Sequence, residues 1–234
     1  MRRLAVIPAR GGSKRVPDKN IRDFCGKPMI GHALDTARAS GLFDVIHVST
    51  DSERIMKVVA GLGYRPDFLR PPALAEDRTP IVPVVRYVLE EYRRLGQEFQ
   101  QVCLLYACAP LIDPEDLRAA ARMFEDLGAK KVVLAVTAFP VPIEWAYELG
   151  PGGVMNPVHP GMFHVRSQDL TRKYHDTGSF AWFPVERLLT DELHDDRDFH
   201  GFPLPAYKAV DIDDEEDWTL AEILYRGAAG LASL

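Results

Sequence analysis

A basic, glycine-rich segment directly follows the first apolar run of the chain, Leu4–Ile7. Its two adjacent glycines let backbone N–H groups approach phosphate oxygens, and its cations can neutralise a charge that water would otherwise solvate. Because the segment begins where a buried strand ends, it lies at the edge where open α/β sheets bind ligands. We therefore predict a polyanion site, in preference to a flexible basic surface loop. The predicted site contains Ala9, Arg10, Gly11, Gly12, Ser13, Lys14, Arg15, Lys19 and Asn20.

This segment matches neither of the two commonest phosphate-binding motifs. A P-loop needs a Lys-Ser or Lys-Thr pair after its second glycine, and a dinucleotide-binding fold needs Gly-x-Gly-x-x-Gly that runs into a helix. Here the loop continues through Pro17 and Asn20, and the next helix is predicted to begin only near Pro28. Such a loop can enclose a ligand larger than one pyrophosphate.

A second concentration of charge lies near the other end of the chain, where Asp211 and Asp213 flank Ile212. In an extended segment, residues two apart point the same way, so both carboxylates face one side while Ile212 faces the core. Two convergent carboxylates suit Mg²⁺, whose coordination is commonly completed by substrate phosphates. We predict that Asp211 and Asp213 bind Mg²⁺ near the basic loop. For Asp214–Asp217 the better interpretation is an acidic helix start that complements the helix dipole.

The composition is that of a globular protein with a substantial core: 234 residues, 47% of them hydrophobic and 26% charged. A formal net charge of -6 argues against nucleic acid or an anionic membrane as a partner. The apolar run near the start ends at Pro8, which is too short for a signal-peptide core or a membrane span. The three cysteines have neither disulfide-framework nor zinc spacing. We therefore expect a cytoplasmic protein.

Apolar runs alternate with helical patterns at the intervals of βαβ units, which predicts one α/β domain over residues 1–234 with a mostly parallel sheet. Capping patterns place Thr50 and Thr79 at the starts of two helices. The alternation breaks at residues 138–183, a stretch rich in proline and aromatic residues. We predict that this insertion makes a homodimer and completes a substrate pocket. Strands are predicted at 4–7, 44–50, 102–106 and 131–137, and helices at 28–41, after 50, after 79, at 113–128 and at 215–225.

Taken in order, these motifs resemble those of the CMP-sialic acid synthetase family, the cytidylyltransferases that activate acidic nonulosonic sugars. The resemblance covers most of the chain. Within the family, the branch that acts on pseudaminic acid is the most similar. Residues 105–110, 166–170 and 174–178 carry this resemblance. The family motifs are the basic loop through Lys19-Asn20, Ser49-Thr50-Asp51, Arg70-Pro71 with Leu74-Ala75-Glu76-Asp77, and Val210-Asp211-Ile212-Asp213 before Glu216-Asp217-Trp218.

The resemblance implies a fold, a reaction and a set of site residues. The fold is the three-layer α/β sandwich of nucleotide-diphospho-sugar transferases. The reaction transfers CMP from CTP to the anomeric hydroxyl of a nonulosonic acid, releases pyrophosphate and requires Mg²⁺. Because negative charge grows on the departing pyrophosphate, cations placed there lower the barrier. The implied catalytic residues are Arg10, Lys19 and Asp211; Arg70, Asp77 and Thr79 bind the nucleotide base; and Tyr106, Arg166, Gln168, His175 and Asp176 bind the sugar.

Several alternatives remain open at this point. The chain departs from the pseudaminic acid branch at Glu144-Trp145 and at Phe180-Ala181, so CMP-N-acetylneuraminate synthetase, CMP-Kdo synthetase or a hexose-1-phosphate enzyme are alternative activities. His175 beside Asp176 is the residue type of a general base, and equally of a hydrogen-bonded loop. From different classes, a catalytically silent nucleotide-binding subunit or an interaction scaffold could share these patterns. A binding protein would not need the pair Asp211 and Asp213.

Overall fold

The computed structural model describes residues 1–76, 78–190 and 198–231. Asp77, one of the predicted base contacts, lies outside the described residues. The strands are β1 (Arg3–Pro8), β2 (Asp23–Phe24), β3 (Lys27–Pro28), β4 (Val45–Ser49), β5 (Gln101–Leu105), β6 (Val132–Ala138), β7 (Tyr147–Leu149), β8 (Met155–Pro157), β9 (Tyr174–Pro184) and β10 (Phe199–Pro203). The α-helices are α1 (Met29–Ser40), α2 (Glu53–Gly61), α3 (Ile81–Arg94), α4 (Pro114–Asp126), α5 (Val185–Leu189) and α6 (Glu215–Leu231).

A six-stranded sheet in the order β10-β6-β9-β5-β1-β4 forms the centre of the protein. Its pairs are parallel except those of β9, which runs antiparallel to both β5 and β6. All five residues of β5 are buried, as expected for a strand covered on both faces. The predicted mostly parallel sheet is confirmed.

Helices cover both faces of this sheet. Because neighbouring strand residues point to opposite faces, Ile7 packs with α1, α2 and α4, whereas Val6 packs with α3 and α5. Leu34 of α1 and Phe124 of α4 lie in the apolar layer on the first face, and Val88 of α3 lies in the layer on the second face. The predicted three-layer sandwich is confirmed.

A third apolar cluster ties the basic loop to the distant acidic segment. It contains Val16 from the loop together with Ile212 and Trp218, all of them buried. The Trp218 ring packs edge-on against Phe24, and the Arg22 guanidinium lies 4.3 Å from its centroid. The loop is therefore anchored in the core at Val16.

Two capping predictions are wrong. Helix α2 is capped by Ser52, whose Oγ accepts from the N–H of Ile55 at 3.4 Å. The carbonyl of Thr50 instead accepts from the N–H of Arg70 at 2.8 Å, which holds Thr50 in the turn after β4. Helix α3 begins at Ile81, and among the described residues no side chain caps its first turn. Thr79 faces a cavity instead.

The boundary predicted for the insertion also needs correction, because residues 174–183 belong to β9 and lie in the central sheet. The part outside the sheet is 139–173, which contains the β7–β8 hairpin and short 3-10 turns. In the part of the chain that the structure describes, none of the helices combines the length and the apolar character needed to cross a membrane.

Candidate active site

A cavity of about 570 Å³ opens where β1 and β5 end. It lies at the edge of the sheet where the basic loop leaves β1, and the start of α3 closes one side. Its lining contains both the cations of the loop and the carboxylates of the acidic segment, which are about 200 residues apart in sequence. The predicted site residues that it brings together are Arg10, Ser13, Lys14, Arg15, Lys19, Asn20, Arg70, Thr79, Tyr106, Asp211 and Asp213.

The loop backbone is used differently from the prediction at two residues. The N–H of Ala9 donates to the carbonyl of Ser49 at 2.9 Å, which continues the β1–β4 ladder. The N–H of Gly11 donates to Asp51 Oδ1 at 3.0 Å. Ala9, Gly11 and Gly12 lie outside the cavity lining, so the Ala9 and Gly11 N–H groups shape the loop instead of facing the cavity.

Side chains of the basic loop hold the acidic segment in place. Ile212 is fully buried, as its predicted inward orientation requires. Lys19 Nζ donates to the Ile212 carbonyl at 2.6 Å and lies 3.7 Å from Asp213 Oδ1. Arg15 Nη2 lies 2.8 Å from the same carboxylate oxygen. Lys19 and Arg15 therefore join the two motifs, and Asp213 already has two cationic neighbours.

Asp211 lies beside Asp213 on the cavity wall. Burial raises the pKa of Asp211 above the usual value for aspartate, and the Asp213 carboxylate raises it further. A divalent cation would offset both effects, so this pair fits a metal that also takes oxygen ligands from a substrate. Within the described residues, no larger group of His, Cys, Asp or Glu side chains is arranged to hold a metal.

Arg70 supplies a buried positive charge to the same cavity. Only 6% of the residue is exposed, and its Nε and Nη2 atoms have no hydrogen-bond partner among the described residues. Burial lowers the pKa of this guanidinium, although Asp51 Oδ1 lies 4.0 Å from Nη2 and opposes the shift. Because Asp51 also accepts from Gly11, it links Arg70 to the basic loop. An anionic ligand would stabilise this cation.

Sequence reasoning missed several residues of the cavity wall. Cys108 Sγ contacts Asn20 Oδ1 at 3.5 Å, and Asn20 Nδ2 donates to the carbonyl of Arg10 at 3.0 Å. Burial raises the pKa of both Cys108 and Tyr106 to about 12, so neither is ionised at neutral pH. Cys108 and Glu76 belong to the family motifs, and this membership was the signal in the sequence that could have placed them in the site. The missed residues are Pro8, Leu74, Ala75, Glu76, Ile81, Val84, Ala107, Cys108 and Gly178, together with Asp51 behind the wall.

The four sugar-binding candidates from residues 166–176 lie outside the cavity lining. Arg166 forms a two-point ion pair with Asp169 on the surface. His175 Nδ1 lies 2.8 Å from the carbonyl of Asp176, and its ring packs on Phe139. Asp176 Oδ1 accepts from the N–H of Gly178 at 2.9 Å. Arg166, His175 and the exposed Gln168 are therefore not brought to the cavity, whereas Asp176 lies just behind its wall at Gly178.

The departures from the pseudaminic acid branch also have local structural roles. Glu144 forms an ion pair with Lys173, and the Trp145 indole donates to the carbonyl of Val165. Phe180 and Ala181 are buried in β9, where Ala181 pairs with Leu104 and Leu134. The change at Phe180-Ala181 therefore lies in the core of the sheet.

Comparison with known proteins agrees with this geometry. The family model described as Cytidylyltransferase matches residues 4–142. Pseudaminic acid cytidylyltransferase from Campylobacter jejuni is 36% identical over 97% of both chains. CMP-N,N'-diacetyllegionaminic acid synthase from Legionella pneumophila is 32% identical over 96% of both. The solved structure of a CMP:2-keto-3-deoxy-manno-octonic acid synthetase complexed with CTP covers 97% of this chain and 100% of its own, with a TM-score of 0.73 at 18% identity, so it supports the fold alone. On the family match and the full-length similarity together, the chain belongs to the cytidylyltransferase family.

Proposed function

We propose that this cytidylyltransferase transfers CMP from CTP to the anomeric hydroxyl of a nonulosonic acid, with pseudaminic acid as the favoured sugar. The observation that carries the proposal is the single cavity in which the loop cations and the pair Asp211 and Asp213 meet. The similarity to the pseudaminic acid enzyme of Campylobacter jejuni, which extends over nearly the whole chain, supports the choice of sugar.

The chemistry follows from the charges that line the cavity. The sugar hydroxyl attacks the α-phosphorus of CTP and a P–O bond forms, the hydroxyl proton passes to water, and the bond between the α-phosphorus and pyrophosphate breaks, so that pyrophosphate is released. Negative charge then grows on the departing oxygens. We assign Arg10, Lys14 and Lys19 to that charge, since all three line the cavity. Arg70 lies on the same wall and is assigned to the nucleotide.

Asp211 and Asp213 are assigned to Mg²⁺. When bound, the ion would supply positive charge shared between these carboxylates and the phosphate oxygens. Burial and, after it, the neighbouring Asp213 carboxylate raise the pKa of Asp211, and the closeness of the two carboxylates on the cavity wall supports this assignment. The cations Arg15 and Lys19 hold Asp213 from the loop side, so the pair keeps its place before the ligand arrives.

The proposal includes a homodimer formed through residues 139–173. This segment carries strongly exposed apolar side chains, among them Leu149 at 77% and Phe163 at 73%. Where such side chains form one contiguous patch, they mark a protein interface. Sedimentation velocity should give a dimer for the wild type and a monomer for the pair L149E and F163E. I223E on α6, whose side chain is 62% exposed, is the matched control and should remain dimeric.

The location is proposed to be cytoplasmic, because CTP is made there and all three cysteines are unpaired thiols. The function is tested by pyrophosphate release from each of the four nucleoside triphosphates, with pseudaminic, legionaminic and N-acetylneuraminic acids and Kdo, with and without Mg²⁺. We expect turnover with CTP, Mg²⁺ and a nonulosonic acid. Binding of CTP without turnover on any of these sugars would contradict the proposal and favour a nucleotide-binding subunit.

A further inference from the structure

Strand β9 departs from regular pairing with β6 beside the cavity. Leu134 pairs with Ala181 and Val136 pairs with Asp176, which leaves only Ala135 of β6 opposite residues 177–180 of β9. A bulge of this kind bends the strand and redirects what it carries, and bulges are frequent next to active sites. Gly178 lies within the bulge and lines the cavity.

The bulge is fixed by buried hydrogen bonds. Thr177 Oγ1 donates to the carbonyl of Ala135 at 3.0 Å and lies 2.5 Å from Ser179 Oγ. Both side chains are almost fully buried, with exposed fractions of 2% and 4%. On the solvent side, the N–H of Gly178 donates to Asp176 Oδ1. The backbone at Gly178 is therefore held from both sides.

Two independent features favour glycine at this position. Its φ of +62° lies in the left-handed region, which strains other L-residues. A Cβ placed on Gly178 would lie 3.2 Å from both Cγ and Oδ2 of Asp211 and 3.4 Å from Oδ1. The Asp211 carboxylate thus rests directly on the face of Gly178 where any other residue carries its side chain.

From this contact we propose that Gly178 is a positioning residue for Asp211: the β9 bulge forms a seat that fixes the carboxylate at the cavity wall. Asp211 needs such a seat because residues 210–213 have no regular secondary structure, and Lys19 holds them only through Ile212 and Asp213. The seat also gives Asp176 a structural task, since its carboxylate caps the glycine turn. The catalytic consequence rests on the proposed function, and the contact itself does not.

The test compares G178A with G41A, each made in the wild type and in D211A. Gly41 also has a left-handed φ, of +67°, but a Cβ there would meet no described atom within 4 Å. We expect G41A to lower Tm by about 2–8 °C in either background, the ordinary penalty for an L-residue in this conformation. G178A should lower Tm by at least about 3 °C more than G41A in the wild type. In D211A, where the carboxylate is gone, that excess should disappear.

Activity gives the second readout. G178A should lower kcat for pyrophosphate release by roughly 10-fold to 100-fold with little change in the KM for CTP, because it displaces the Asp211 carboxylate and leaves the triphosphate contacts intact. G41A should keep wild-type kcat. If G178A is too unstable to purify, the double variant G178A/D211A should still fold. The yield of soluble protein then tests the same prediction.

The outcomes separate this inference from the proposed function. If the wild type shows no turnover on any sugar, the proposed function fails, and the Tm comparison still decides whether the seat exists. Equal Tm losses for G178A in the wild type and in D211A would overturn the seat even in an active enzyme. Wild-type kcat for a folded G178A would overturn the positioning role.

Discussion

Replacing His47 with phenylalanine should make the stability of the protein less sensitive to acid. His47 on β4 is 99% buried, with 1% of its surface exposed, and its Nδ1 lies 3.1 Å from the Tyr92 hydroxyl. That hydroxyl donates to Asp67 Oδ2 at 2.5 Å, so its oxygen is left to accept a hydrogen bond from the Nδ1–H of His47. The Phe68 ring lies 4.5 Å away, centroid to centroid. The site suits a neutral imidazole.

The magnitude follows from the shift in pKa. Burial lowers the pKa of His47 from 6.5 to about 4, with Asp67 opposing the shift and Arg70 adding to it. The folded pKa is lower than the unfolded one, so the stabilising contribution is present above pH 6.5 and is lost as the pH falls through this range. Linkage then gives a loss of about 2 kcal/mol between pH 7 and pH 5, and about 3 kcal/mol by pH 4.

The assay is urea unfolding of the wild type and of H47F at pH 7 and pH 5. Phenylalanine keeps an aromatic ring, somewhat larger than imidazole, and cannot titrate, so whatever its effect at pH 7, the free energy of unfolding of H47F should fall by about 2 kcal/mol less than that of the wild type over this interval. Equal losses for the two proteins would refute the reasoning. An NMR titration that placed the His47 pKa near 6.5 in the folded protein would refute it directly.

Three further predictions concern the loop and one helix. Gly11→Ala should lower Tm by several degrees more than Gly12→Ala. A Cβ at Gly11 would lie 3.0 Å from Ser52 Cβ, whereas a Cβ at Gly12 would meet no described atom within 4 Å. Equal Tm values for the two variants would contradict this. Lys19→Met should slow pyrophosphate release roughly 100-fold to 1,000-fold, and near wild-type rates would remove Lys19 from the site. Asp113→Ala should reduce the free energy of unfolding, measured in urea, by about 1–2 kcal/mol, because the Asp113 carboxylate caps two N–H groups of α4. This role is purely structural, so a kcat below half the wild-type value would contradict it.

Local patterns in the sequence predicted most of the regular elements. The apolar period and the terminal Gly41 placed α1, and Asp113-Pro114 placed α4, whose capping box is present. These predictions succeeded because capping and amphipathic packing depend on residues only a few positions apart. The Thr50 cap failed because its Oγ1 accepts from the N–H of Ser52 and its carbonyl accepts from the distant Arg70, so Ser52 caps the helix instead.

The strands that were missed have weak local signals. Strand β9 contains Gly178 in a left-handed conformation and a bulge, so its alternation is broken inside the strand. Strand β10 is an edge strand of mixed exposure that includes Gly201 and ends at Pro203. Strand β9 pairs with β5 and β6, and β10 pairs with β6, all of them distant in sequence. The local sequence pattern does not indicate these pairings.

The sequence by itself determined the chemistry of this protein: a basic glycine loop after a strand, a pair of carboxylates, and the order of motifs typical of a cytidylyltransferase. These depend on residue type and short spacing, which are local properties. Only the tertiary structure decided which residues meet. Burial of Val16 with Ile212 brings the loop to the carboxylates, Arg70 enters the same cavity, and the β9 bulge supports Asp211. These contacts depend on packing between distant segments, which local spacing does not specify.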